Sequence, residues 1–270
     1  MKISKKTWIE IRGMTLVYFL LLEVLLVATL QYWPQIREAL EKNTGVFVNL
    51  MPGDFLKRIV RGMADKSPDF AYRAYIATEQ FFRSVNIIGI AAAVLLGTGT
   101  IARERENGTL EFLLSRPIKR SSILWSKTWC LTLAVTIPIF LSSATIIPLT
   151  RLLGFPYHLD WGPILLASLH GSLFVLLFLL LAIAASTLFR AQVHVAFFVG
   201  GLIVTEVGVY FIKGLRKTSL FMLSDFDVYM PILAGNRSPL QVFLTWDLWL
   251  ILAIVLLYAF TQRRFQKMDL

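Results

Sequence analysis

The chain has one cysteine, Cys130, and three histidines, His158, His170 and His194. A single cysteine excludes a disulfide framework and a thiolate metal cluster. Inside an apolar run it reads as a small hydrophobe. The histidines are scattered and no H-E-x-x-H occurs, so a zinc or copper site built by this chain alone is not expected. No G-x-x-x-x-G-K-[ST] loop is present, so ATP hydrolysis by this chain is not expected either. Gly97-Thr98-Gly99 is a fragment of a glycine motif placed at a helix end. His170-Gly171-Ser172 with His194 lacks a group to orient it, which argues against an intramembrane serine hydrolase. The chain reads as non-catalytic and as binding no cofactor of its own.

Charge is scarce too. Only 16% of the 270 residues are charged and 56% are hydrophobic, against roughly a quarter charged in a soluble domain. Mean hydropathy is +0.66. Six runs are apolar enough to cross a bilayer, at roughly twenty residues per crossing: Met14–Tyr32, Phe82–Ile101, Ile123–Leu149, Ile164–Phe189, Val193–Ile212 and Leu244–Phe260. The pattern predicts an all-α membrane protein, a bundle of six transmembrane helices in a single domain. The net charge of +10 does not imply nucleic acid. Its cations flank the apolar runs, where lipid headgroups and topology explain them. The basic front of MKISKKTWIEIRGMTLVYFLLLEVLLVATL resembles a signal peptide, but its apolar stretch is too long and no A-x-A-like site follows. It reads as a retained first span.

An orientation with both termini cytoplasmic places residues 1–13, 102–122, 190–192 and 261–270 inside. With Lys127, these short pieces carry 14 of the 27 Lys and Arg and five of the 17 acids, as the positive-inside rule favours. Two long segments then lie outside. Residues 31–81 read as a loop with helical pieces around a turn at Met51-Pro52-Gly53-Asp54. Residues 213–246 are too apolar for a solvated loop and read as interfacial or re-entrant.

Gly89, Ala93 and Gly97 recur at four-residue spacing, a face small enough for close helix packing. Gly200, Gly201 and Gly208 offer the fifth span a similar surface. Pro138 and Pro148 each remove a donor from the third span and predict kinks. Glu23 and Glu206 lie within apolar spans, where an ionised carboxylate is costly unless it meets a cavity or a partner. They are candidates for a polar translocation pathway, or alternatively for interspan hydrogen bonds.

The densest charge lies in RERENGTLEFLLSRPIKRSS, Arg103 to Ser122. Asn107 or Gly108 opens a short helix in which Leu110, Leu113 and Leu114 share a face. Glu104, Glu106 and Glu111 sit near its N-terminal part, where the helix dipole favours acids. Arg116-Pro117 ends it, and Lys119, Arg120 and Lys127 mark the foot of the third span. Such an element lies on headgroups or plugs into a partner. Its acids argue for the partner, because anionic lipid repels them.

ARERENGTLEFLLSRPIKRSSILWSK resembles the segment after the second span in ABC-2-type transporter permeases, with Glu104, Glu106, Gly108, Thr109, Glu111, Leu114, Pro117, Arg120 and Lys127 matching position by position. The six spans, the large first outside loop and the apolar segment before the last span agree with that family too. The resemblance implies that residues 102–122 form a cytoplasmic coupling helix on a separate ATP-binding-cassette subunit, which would hold ATP and Mg. It further implies a second permease copy or a related chain, an inner-membrane location and export of an unnamed substrate. Residues 1–13, with Ile3, Trp8 and Ile11 among cations, are similar to the family's interfacial connecting helix or are an ordinary anchor. An extracytoplasmic accessory protein fits the first outside loop. The competing readings are an ATP-independent secondary transporter or channel, which would use Glu23 and Glu206, and a membrane scaffold.

Overall fold

The computed structural model describes residues 3–51, 53–115, 118–212 and 214–268, apart from the side chains of Ile3 and Leu113. The described residues form helices and turns. Each of the six apolar runs corresponds to a helix long and apolar enough to cross a membrane, with the fourth and fifth helices ending at Ser186 and Phe211, short of the runs' ends.

Helix α1 (Ile3–Leu50) passes through Pro34 and departs from helical geometry at Asn43. Residues 3–13 are continuous with the first apolar run in this one helix, which also continues well beyond Tyr32. The segment 31–81, expected as a loop with helical pieces, runs through the far part of α1, then α2 (Asp54–Met63) and α3 (Pro68–Ile76), and ends in a π-helical stretch. The expected turn survives at Gly53, whose φ of 83° suits glycine, while Pro52 lies outside the described residues. Helix α3 leads into a π-helical stretch, Ala77–Val85, and then α4 (Asn86–Thr98). The extra residue per turn of a π segment re-aims side chains. Here Gln80 is buried and donates from Nε2 to Ser142 Oγ at 3.1 Å.

After α5 (Ala102–Glu106) and α6 (Leu110–Leu114) come α7 (Arg120–Leu152), α8 (Trp161–Ser186) and α9 (Gln192–Phe211). Both Pro138 and Pro148 lie inside α7, which runs through them as one helix. Two 3-10 turns, Arg216–Thr218 and Leu220–Ser224, precede α10 (Phe226–Leu233). Then α11 (Pro239–Val242) and a π-helical Phe243–Asp247 lead into α12 (Leu248–Gln266). Helix α8 is the hub, packing against α4, α7, α9, α10 and α12, while α1 lies along α7.

Small residues decide the closest approach. A Cβ on Gly97 would meet Ala182 Cβ at 2.7 Å and the Leu179 carbonyl at 3.1 Å, and one on Gly89 would meet Val175 at 2.9 Å. Ala93 between them is fully buried. Backbone contact of this kind is what small-residue faces provide inside a membrane. The glycines of α9 behave differently, since Gly200, Gly201 and Gly208 have nothing within 4 Å of a Cβ. That face of α9 is open in the single chain.

The segment between α9 and α12 is packed in, with Val228, Tyr229, Met230, Ile232 and Leu233 buried. Lys213, at its expected start, lies outside the described residues. Hydrogen bonds hold its inner side. His170 Nε2 meets the Leu223 carbonyl at 2.7 Å and Nδ1 meets Asp247 Oδ1 at 2.6 Å. A carbonyl only accepts, so Nε2 carries a proton. Asn86 Nδ2 donates to the Ser224 carbonyl at 2.6 Å, and Ser224 Oγ and Tyr229 OH are 2.6 Å apart. His170 is therefore a structural residue. Both ring nitrogens are spent on Asp247 and Leu223, and neither is left to activate a serine.

The outer side of the same segment is held by charge. Arg216 pairs with Asp225 at 2.5 Å and Asp227 at 3.4 Å, and lies 4.0 Å over the Phe55 ring. Arg58 on α2 reaches Asp227 at 2.7 Å. Burial, reinforced by Asp227 and opposed by Arg216, pushes the Asp225 carboxyl up to about 6 from 3.8. A raised carboxyl binds its proton more tightly in the folded chain. The resulting stability is full below 3.8 and is lost as pH rises through about 6. Thermal unfolding should therefore show the wild type about 1 kcal/mol more stable at pH 5 than at pH 7. Asp225→Asn should remove most of that difference, and an unchanged pH profile would exclude Asp225 as its source.

Candidate functional site

The block of charge singled out in the sequence folds as two short helices in series. Helix α5 ends at Glu106, Asn107 and Gly108 turn the chain, and α6 begins at Leu110. The expectation placed the helix start at Asn107 or Gly108. Gly108 instead supplies the turn, with φ at 67°, a region costly for residues that carry a Cβ.

Glu104 is the centre of this arrangement. Its Oε1 accepts from Lys127 Nζ at 2.9 Å and lies 3.7 Å from Lys6 Nζ, and its Oε2 accepts from the Thr109 hydroxyl. Lys127 also donates to the Thr100 carbonyl at 2.9 Å. The two paired side chains are only 8% and 12% exposed. One carboxylate thus joins α1, α5, the turn before α6, and α7.

The neighbouring residues tie in the other elements at this end. Glu106 Oε2 accepts from the Gln192 backbone N–H at 3.1 Å, and Arg105 Nη1 donates to the Phe189 carbonyl at 3.1 Å. They fasten α5 to the start of α9 and to the link that precedes it. Arg120 Nη1 donates to the carbonyls of Gln266 and Met268 at 3.1 and 2.7 Å, joining the start of α7 to the end of α12. Helix α5 and the turn after it are thus bonded to α1, α7, the α8–α9 link and the start of α9.

The two faces of α6 are unequal. Leu110 is 6% exposed and packs into the core, and Leu114 is partly buried against it. Leu110 and Leu114 thus face the chain's own bundle. Glu111 is exposed, and Phe112 is 78% exposed. The side chain of Leu113, and Arg116 and Pro117 altogether, lie outside the described residues. Phe112 was missed from the sequence because it falls off the leucine stripe. The only signal for it was an aromatic residue on the polar side of a charged helix.

The two membrane glutamates are not brought together. Thr145 Oγ1 on α7 donates to Glu23 at 3.1 Å from each oxygen. Glu206 Oε2 accepts from the Leu220 N–H at 2.9 Å, and its carbonyl accepts from Ser219 Oγ at 3.0 Å. Each carboxylate therefore has a partner inside the chain. Among the described residues no group of three or more His, Cys, Asp and Glu is arranged to hold a metal ion.

A family model described as "ABC-2 family transporter protein" matches residues 3–270. No curated protein matches the chain.

Proposed function

The chain belongs to the ABC-2 family of transporter proteins as a multi-pass membrane permease subunit, and on that premise we propose that it exports substrate under the drive of a separate ATP-binding subunit. That subunit holds ATP and Mg and docks on α6. The membrane is the inner membrane, with both chain termini on the cytoplasmic side. Residues 102–122 are the coupling segment, and the role passes through Glu104, Glu106, Gly108, Thr109, Leu110, Glu111, Leu114 and Arg120.

The observation that carries this reading is the division of α6. Its inner face is anchored at Leu110 while Glu111 and Phe112 project from the end of the bundle. Aromatic residues, Phe included, are enriched at protein interfaces. The Glu104–Lys127 pair behind it supplies a stiff route into α1 and α7, and a push on α6 becomes a displacement of spans. The open glycine face of α9 supports pairing with a second permease copy or a related chain. The secondary-transporter alternative would use Glu23 and Glu206, and the bonds to Thr145 and to the Leu220 N–H favour structural roles for both.

The test is mild-detergent capture of the tagged chain from native membranes. We expect a stoichiometric ATP-binding subunit with the wild type and a weakened one with Glu111→Lys. Absence of such a partner from both forms would overturn the reading.

A further inference from the structure

Beside α6 lies a groove of about 710 Å³ whose lining includes Arg105, Arg190, Arg264 and Lys267, with Glu106 and Glu111 as its acids. Its four cations outnumber its two acids. Some of the chain's other cations pair with acids, among them Arg37 with Glu41, Arg58 with Asp227, Arg83 with Glu79 and Lys127 with Glu104. In the groove, none of the four cations makes an ion pair with a described residue. Glu106 accepts from the Gln192 backbone N–H. With both carboxylates counted, the lining keeps a net positive charge, and a concavity of one net sign draws in an opposite charge.

The position of the groove selects the anion. It lies where α9 begins and α12 ends, which is the boundary between the apolar spans and the polar surface. On α12, Leu256, Phe260 and Arg264 follow at four-residue steps, and so lie along one side of the helix. Leu256 is 69% and Phe260 50% exposed. A molecule with its negative group at Arg264 would lay an apolar tail over Phe260 and Leu256. A free anion would leave that apolar path unused, and an acidic protein segment would have to cross it.

We propose that this groove binds the headgroup of an anionic phospholipid, whose acyl chains run along the outer side of α12. Arg264, Arg190 and Lys267 hold the phosphate, and Arg105 forms the inner wall, fixed by its bond to the Phe189 carbonyl. The bound lipid neutralises the repulsion between Arg190, on the link preceding α9, and Arg264 and Lys267 at the end of α12. The inference goes beyond the ATP-driven reading and does not depend on it.

The test uses the full chain purified in detergent and equilibrated with equal amounts of phosphatidylglycerol and phosphatidylcholine, with retained lipid counted by native mass spectrometry. The wild type should retain phosphatidylglycerol selectively. The triple variant Arg190→Gln/Arg264→Gln/Lys267→Gln should lose that retention at least about tenfold, since each cation beside an anionic surface is worth about a fivefold gain. If the triple variant does not fold, Arg264→Gln alone should show a loss of about fivefold. Equal retention of the two lipids, or retention unchanged in the variants, would overturn the proposal. Displacement of the lipid by excess inorganic phosphate would overturn it in favour of a free-anion site. Displacement by an added ATP-binding subunit would overturn it in favour of a protein-docking surface.

Discussion

Phe112→Ala should abolish stimulation of the ATP-binding subunit while leaving the permease as stable as the wild type. The ring is 78% exposed, so its removal takes almost no packing from the chain itself, and surface changes of that kind usually cost within 0.5 kcal/mol or so. In a partner's groove the same ring would be fully desolvated. Truncating such an aromatic anchor typically costs about 2 kcal/mol or more of binding, roughly a thirtyfold loss of affinity. Leu110→Ala supplies the contrast. Leu110 is 6% exposed and belongs to the core, so its truncation should cost about 2–5 kcal/mol of stability through the cavity it leaves. The two substitutions lie on opposite faces of one five-residue helix and should separate docking from folding. The measurements are ATPase activity of the reconstituted pair and thermal unfolding of the permease alone. Full stimulation by Phe112→Ala would remove α6 as the docking element.

The contrast also marks how far the sequence could be read. The six spans were legible because an unbroken apolar run of about twenty residues matches the thickness of a bilayer and is longer than most soluble cores can bury. Their ends were not. Helix α1 continues through Pro34 to Leu50, where mixed polar residues no longer separate a helix from a loop by hydropathy. The small-residue face of Gly89, Ala93 and Gly97 was visible as a spacing, but its partner, Ala182 and Leu179 on α8, was not. The leucine periodicity of α6 was visible too. Periodicity says that two faces differ, and only the tertiary contact of Leu110 says which one is turned inward. Pairs distant in sequence were invisible in principle. His170 with Asp247 and Glu104 with Lys127 are 77 and 23 residues apart, and no local pattern announces either.

Lys127→Met tests the brace behind α6. The substitution keeps an unbranched side chain of similar length and removes the charge. Glu104 then keeps its bond to the Thr109 hydroxyl and the longer 3.7 Å approach of Lys6, and loses its near partner at 2.9 Å. Both side chains of the pair are almost fully buried. Breaking a buried ion pair from one side costs about 3–5 kcal/mol, because a desolvated charge is left behind. The Thr100 carbonyl loses its donor as well. Glu104→Gln added to Lys127→Met takes away the stranded charge, so the double variant should recover much of the lost stability. Thermal unfolding of the two single variants and the double closes the cycle, with a coupling of 0.5–3 kcal/mol or so expected for groups in contact. Transport and folding should then diverge. The double variant regains stability without regaining the charged strut between α5 and α7, so stimulation of the ATP-binding subunit should stay low. If Lys127→Met were as stable as the wild type, the pair would not be the brace. If the double variant restored both stability and stimulation, the strut would need no charge to transmit motion, and apolar packing around Leu110 would be the route from α6 into the spans.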